Sequence, residues 1–196
     1  FFFFSLPPAP QVNVVANGDG KITLYWGSRS ESYKVYDSLG RTGFWEYQGY
    51  NVYQIKPGTS GDNESDRTLL ATYDIIDSIT IVYDSIKVIQ PNGTTQEVVK
   101  PVAFGTNSSI SRVITLSANQ YPTGVNDFFI NGQTYKFAVT AYGVNRDAGK
   151  PFKVLENPVS SQIINVIPNL PMMGTNFVNK ALDTLSINRP DKVFFP

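Results

Sequence analysis

Asp74, Asp77 and Asp84 stand near a strand end and the hairpin that follows it, and carboxylates are the catalytic groups this chain has left to offer. Its 196 residues include no His and no Cys, which removes the imidazole base, the thiolate nucleophile, the disulfide and the usual zinc ligands. Serine chemistry finds no Gly-x-Ser-x-Gly elbow and no Ser-x-x-Lys dyad, and no metalloprotease helix motif is present. Two carboxyls about 5 to 9 Å apart across a cleft suit glycoside hydrolysis, and Asp74 with Asp84 is the pair to test. Turn formation and solubility are the plainer uses of the same side chains.

Asp62, Glu64 and Asp66 alternate after Gly61 and offer the hard oxygen ligands that calcium takes. Arg67 stands where the common calcium motif places its turning glycine, so a solvated loop is the simpler reading. Phe44-Trp45-Glu46-Tyr47 is the most interesting functional candidate. Exposed Trp45 and Tyr47 rings would stack on a sugar or anchor a protein partner, whereas an insertion folding back would use them to extend the core. Asn17-Gly18-Asp19-Gly20 has a phosphate-loop look, but no Lys-Ser or Lys-Thr follows and the next element is a strand, so it is a turn. Sequons at Asn63, Asn92 and Asn107 mark surface loops. No catalytic, cofactor-binding or metal-binding residue is expected, and no cofactor.

Sixteen basic and sixteen acidic side chains balance without any basic cluster, which argues against nucleic acid and anionic membranes as partners. No apolar run reaches the about 18 residues of a membrane span. Phe1–Phe4 is apolar but lacks the basic flank of a signal peptide. Those four phenylalanines and the closing Val193-Phe194-Phe195-Pro196 lead to the expectation of a segment trimmed from a longer polypeptide, its aromatic ends packing on something outside this sequence.

The elements that must position these groups are strands. Residues 1–10 form a Pro-rich entry, extended and reading as a linker. Val12 to Ala16 and Ile22 to Trp26 alternate with period two on either side of the Asn17–Gly20 turn. Gly27 to Gln48 shows no sustained period and reads as an insertion. Strand patterns resume at 49–55, 68–73, 79–83, 87–89, 96–104, 110–116, 134–142 and about 160–167. A turn at Pro91-Asn92-Gly93-Thr94 separates two of them. Only 176–187 has spacing a helix can use, with Asn176 as cap and Phe177, Ala181, Leu182 and Leu185 as the apolar face, and a strand or plain tail fits equally. Many short strands between Gly, Pro and Asn turns indicate an all-β antiparallel sandwich or barrel.

The run Phe129-Ile130-Asn131-Gly132-Gln133-Thr134-Tyr135-Lys136-Phe137-Ala138-Val139-Thr140-Ala141-Tyr142 resembles the E to F corner and F strand of fibronectin type III domains. Phe129, Tyr135, Val139 and Ala141 occupy the family's positions. Ile22-Thr23-Leu24-Tyr25-Trp26 is similar to its B strand with a buried tryptophan, and Tyr50-Asn51-Val52-Tyr53 to its C strand; Asn145 and Gly149 fall in the F to G loop. The resemblance implies an immunoglobulin-like antiparallel sandwich over 11–168, expanded beyond the about 100 residues of a seven-stranded one. Insertions at 27–48 and 75–109, the second an added hairpin, account for the excess. Gly49 to Gln54, Leu70 to Asp74 and Leu155 to Pro158 look like expanded modules of large secreted bacterial surface proteins, with 169–196 a tail or, from Met172 on, the lead into a following module. The function so implied is a non-enzymatic extracellular or cell-surface unit for spacing, assembly or adhesion. Its partners would be proteins, neighbouring copies or domains, the apolar termini adding as edge strands; the alternative is a carbohydrate-binding accessory domain using Trp45 and Tyr47.

Overall fold

The computed structural model describes residues 5–36, 43–147 and 153–169. Expectations placed on Phe1–Phe4, Gly149, the Met172 lead, the 176–187 spacing and the Val193–Phe195 end lie outside the described residues. Two antiparallel sheets pack face to face. The first holds β1 (Val12–Val15), β2 (Ile22–Trp26) and β8 (Val113–Leu116) in the order β1-β2-β8. In the second, β4 (Phe44–Ile55) and β9 (Tyr135–Asn145) form the centre. The outer edge of β4 pairs with β3 (Lys34–Tyr36) and β5 (Arg67–Asp74), and that of β9 with β10 (Val154–Glu156) and β11 (Ile163–Val166). A third, two-stranded sheet of β6 (Ile81–Ile89) and β7 (Thr95–Phe104) pairs only with itself among the described residues.

Ile22, Leu24 and Trp26 point from the first sheet at Tyr50, Val52, Phe137, Val139 and Ala141 of the second. Trp26 meets Tyr50 edge-on at 5.5 Å. Burying such rings drives the two layers together, since each aromatic side chain removes a large apolar area from water. Tyr135 closes one corner. Its ring stands across Phe129 at 4.9 Å, and its hydroxyl accepts the Ile130 backbone N–H at 2.7 Å. Tyr135→Phe is therefore expected to cost about 1–2 kcal/mol by leaving that N–H without its acceptor, measurable as a lower urea midpoint at unchanged slope.

The stretch 27–48, read as an aperiodic insertion, instead contains β3 and the first residues of β4. The pairing of β4 with β9 slips between Tyr47 and Gly49, so Gln48 is an extra, bulged residue. Before it Trp45 and Tyr47 face the core; after it Tyr50 and Val52 do. The bulge shifts the phase of the alternation by one residue, which hides a twelve-residue strand from a period-two reading. Similarly, the two pieces expected at 79–83 and 87–89 are one strand, β6.

The Pro-rich entry is tied down rather than free. Backbone carbonyls of Ser5, Pro7 and Pro8 accept bonds from the Tyr33 hydroxyl, the Asn157 amide and the Ser30 hydroxyl at 2.6, 2.6 and 2.7 Å. Side chains thus satisfy a segment whose prolines cannot join a ladder. The chain enters beside the start of β1, where Val12 pairs with Trp26. Beyond the other end of β1 the Asn169 N–H reaches the Ala16 carbonyl.

Candidate functional site

Strand β4 turns Glu46 and Gln48, and past the bulge Asn51 and Tyr53, toward the outer face of the second sheet, away from the first. From β9 the same face receives Ala138, Thr140, Tyr142 and Val144. Two polar groupings form there, and the β6–β7 hairpin stands over them.

The first grouping contains two of the three predicted carboxylates. Asp74 is completely buried at the end of β5. It accepts the Tyr142 hydroxyl and the Gln48 amide, each at 3.0 Å, and the Asn107 backbone N–H at 3.3 Å. Gln48 also donates to Asp77 at 3.2 Å and accepts from Arg146 at 2.9 Å. Arg146 completes the chain by pairing with Asp77 at 2.9 Å and Glu46 at 3.4 Å. Burial, with the Asp74 charge adding to it, pushes the Tyr142 phenol well above its usual range, so this hydroxyl stays a donor. A side chain at Gly105 would place its Cβ 2.2 Å from the Ile79 carbonyl and 2.5 Å from Asp74, so glycine alone lets this loop close over the carboxyl. The cluster is a polar lock between β4, β5, β9 and the loop after β7. Asp84 is elsewhere, accepting the Lys153 N–H at 2.7 Å and the Ser85 N–H at 2.8 Å. The Asp74 and Asp84 pair shares no bonding partner among the described residues, and Asp74 has no face open to a substrate.

The second grouping was not singled out from the sequence. Glu156 of β10 accepts at Oε1 from the Asn51 amide and the Tyr53 hydroxyl, both at 3.1 Å, and from the Thr140 hydroxyl. Thr72 orients Asn51 by donating to its Oδ1 at 2.9 Å. An acid within Leu155-Glu156-Asn157-Pro158 carries no local signature, because its partners come from β4, β5 and β9.

Trp45 and Tyr47 are 1% and 7% exposed and belong to the core. Neither offers a face on which a sugar ring can stack. A cleft of about 410 Å³ lies near Tyr47, lined by Glu31, Tyr33, Lys34, Glu46, Ile75 and Arg146. Its charges are matched: Lys34 with Glu46 at 2.9 Å, and Glu31 with Arg112 at 2.6 Å. The Arg112 guanidinium holds the Glu31 carboxyl below its ordinary range. Asp62, Glu64 and Asp66 stay on a surface loop, Asp66 accepting from Asn63 at 3.0 Å. Among the described residues no three acidic side chains converge as metal ligands, and no helix is long and apolar enough to cross a membrane.

The hairpin carries the largest group of exposed apolar side chains among the described residues. Val82 and Ala103 at its base pack on Tyr142, Val144 and Val154 of the outer sheet face. Past the bulge the register puts the pairs Tyr83/Pro101, Ser85/Val99, Lys87/Glu97 and Ile89/Thr95 on the opposite face of the ribbon, so one charged pair stands among its apolar groups. Ile81, Tyr83, Ile89, Val99 and Phe104 are 42, 54, 75, 68 and 61% exposed. These side chains lie on a ribbon whose edges pair with no other strand among the described residues. Compared with known protein families, curated proteins and solved structures, the chain matches none.

Proposed function

We propose that this chain is a non-enzymatic structural and interaction module, a fibronectin type III-like sandwich spanning 11–168, expanded by the 27–48 and 75–109 segments. The order β1-β2-β8 against β9 and β4 with their edge strands, and the Tyr135 corner, support the family reading. Residues 1–10 serve as its entry segment, and 169–196 are a tail or the start of a following module. Residues 5–8 and Asn169 are held near opposite ends of β1, which suits a spacer in an extracellular or cell-surface protein.

The observation that carries the interaction role is the β6–β7 ribbon. A two-stranded hairpin is marginal in water by itself, and among the described residues this one has unpaired edges and seven exposed large apolar side chains. Strand addition from a neighbouring copy or domain would satisfy both. The apolar ends, Phe1–Phe4 and Val193–Phe195, are suitable donors. The test is light scattering and cross-linking across a concentration series. Val99→Lys with Ile89→Lys, and separately deletion of Phe1–Phe4, are expected to weaken self-association about tenfold or more while thermal unfolding stays cooperative. Unchanged association in both variants would remove the assembly reading. The carbohydrate alternative loses its two named residues to the core and has no other observation in its favour.

A further inference from the structure

Between β7 and the outer face of the second sheet lies a cavity of about 120 Å³. Its wall is apolar along Val102, Phe104, Leu69 and Val154 and polar at Asn51, Thr72 and Glu156. The half-buried Glu156 carboxylate has no Lys or Arg partner among the described residues. All three of its bonds fall on Oε1, and no described donor reaches Oε2. A carboxylate removed from much of its water without a counter-ion is costly, so the site is built to receive a positive charge.

The shape of the vacancy selects which cation. A guanidinium binds a carboxylate best as a fork across both oxygens, but Oε1 is already occupied by three donors. A compact ammonium needs only the free oxygen. Its alkyl chain would lie along Val102, Leu69 and Phe104, which are 36, 51 and 61% exposed and would gain from being covered. The Tyr53 ring already carries the Arg67 guanidinium at 5.3 Å, so the attraction rests on Glu156 and the apolar wall. We propose that this cleft binds a primary alkylammonium group, from a free aliphatic amine or from a lysine side chain, with Glu156 as its counter-ion. The site does not depend on the assembly reading, and monomeric protein is sufficient to test it.

The probe is n-butylammonium chloride, titrated against the isotopically labelled chain with backbone amide shifts as readout. So small a ligand is expected to bind with a Kd of about 1 mM, with shifts centred on β7, β10 and Thr72. Glu156→Gln keeps an acceptor for Asn51, Tyr53 and Thr140 while removing the charge, and is expected to weaken binding about tenfold or more. Val102→Trp, which fills the cleft and leaves Glu156 in place, is expected to abolish it, so the result does not hang on the stability of one variant. n-Butanol at equal concentration should leave the spectrum unchanged. A parallel titration with Nα-acetyl-lysine methylamide separates the sources: binding assigns the site to lysine side chains, and its absence beside butylammonium binding assigns it to free amines. Equal affinity in wild type and Glu156→Gln, no butylammonium shifts at the cleft, or butanol shifts matching those of the amine would each overturn the proposal.

Discussion

Asp74→Ala is expected to destabilise the chain by about 3–5 kcal/mol, because three donors lose a buried acceptor at about 1–3 kcal/mol each. The magnitude follows from what remains. The Tyr142 hydroxyl, the Gln48 amide and the Asn107 N–H all lose their acceptor at a position with no exposure to water. Gln48 also positions Arg146 and Asp77, so the loss reaches β9 and the turn after β5. Asp74→Asn keeps an acceptor oxygen and should recover part of the difference. Urea unfolding of the three proteins measures it through the midpoints. A shift under 1 kcal/mol for the alanine variant, by the same extrapolation, would mean that the cluster holds nothing together. The experiment also addresses catalysis, because a residue buried for structure shows its effect in stability.

Trp45→Ala should be as severe, at about 3–5 kcal/mol, for a different reason. Trp45 is the largest of the fully buried side chains among the described residues, and its removal leaves a cavity in the cluster that also holds Tyr33, Tyr47 and Tyr50. Trp45, Tyr47 and Tyr50 sit on a long central strand paired along both edges, so the backbone has little freedom to collapse into the gap. Trp45→Phe, which keeps part of the volume, should fall between. Differential scanning calorimetry reports all three. A surface aromatic used for binding would behave oppositely, with melting preserved and ligand affinity lost.

The architecture was largely legible where local chemistry and tertiary role coincide. Ile22, Leu24 and Trp26 alternate in sequence and are buried in the core, and Tyr135 follows a turn and an apolar residue as its corner requires. Legibility failed where a residue's role depends on register. Gln48 conceals a strand because a bulge is a relation between two strands, absent from either one alone. Asp84 and Ser85 interrupt an apolar run and split β6 on paper, yet Asp84 is retained inside the strand by the Lys153 N–H. Trp45 leaves two uses open in the sequence, core and binding, because composition does not say which face is covered, and the structure decides for the core. Glu156 is the extreme case, since its acid acquires meaning only when Asn51, Tyr53 and Thr140 are brought to it by pairing across the sheet.

The anchored entry and the Asn169 contact at the other end of β1 have a mechanical side. A pull between the two ends would act on Pro7 and Pro8 at one end and on Asn169 at the other, so tension would run along the strands. The ladders joining β1 to β2 and β11 to β9 would then be sheared, many bonds sharing the load at once, where a pull across the strands would open them one by one. Under force, lifetime is set by the unfolding rate and not by equilibrium stability. For a unit standing in a chain under tension, the side-chain clamps from Tyr33, Ser30 and Asn157 on the entry segment are then the first bonds to feel the load.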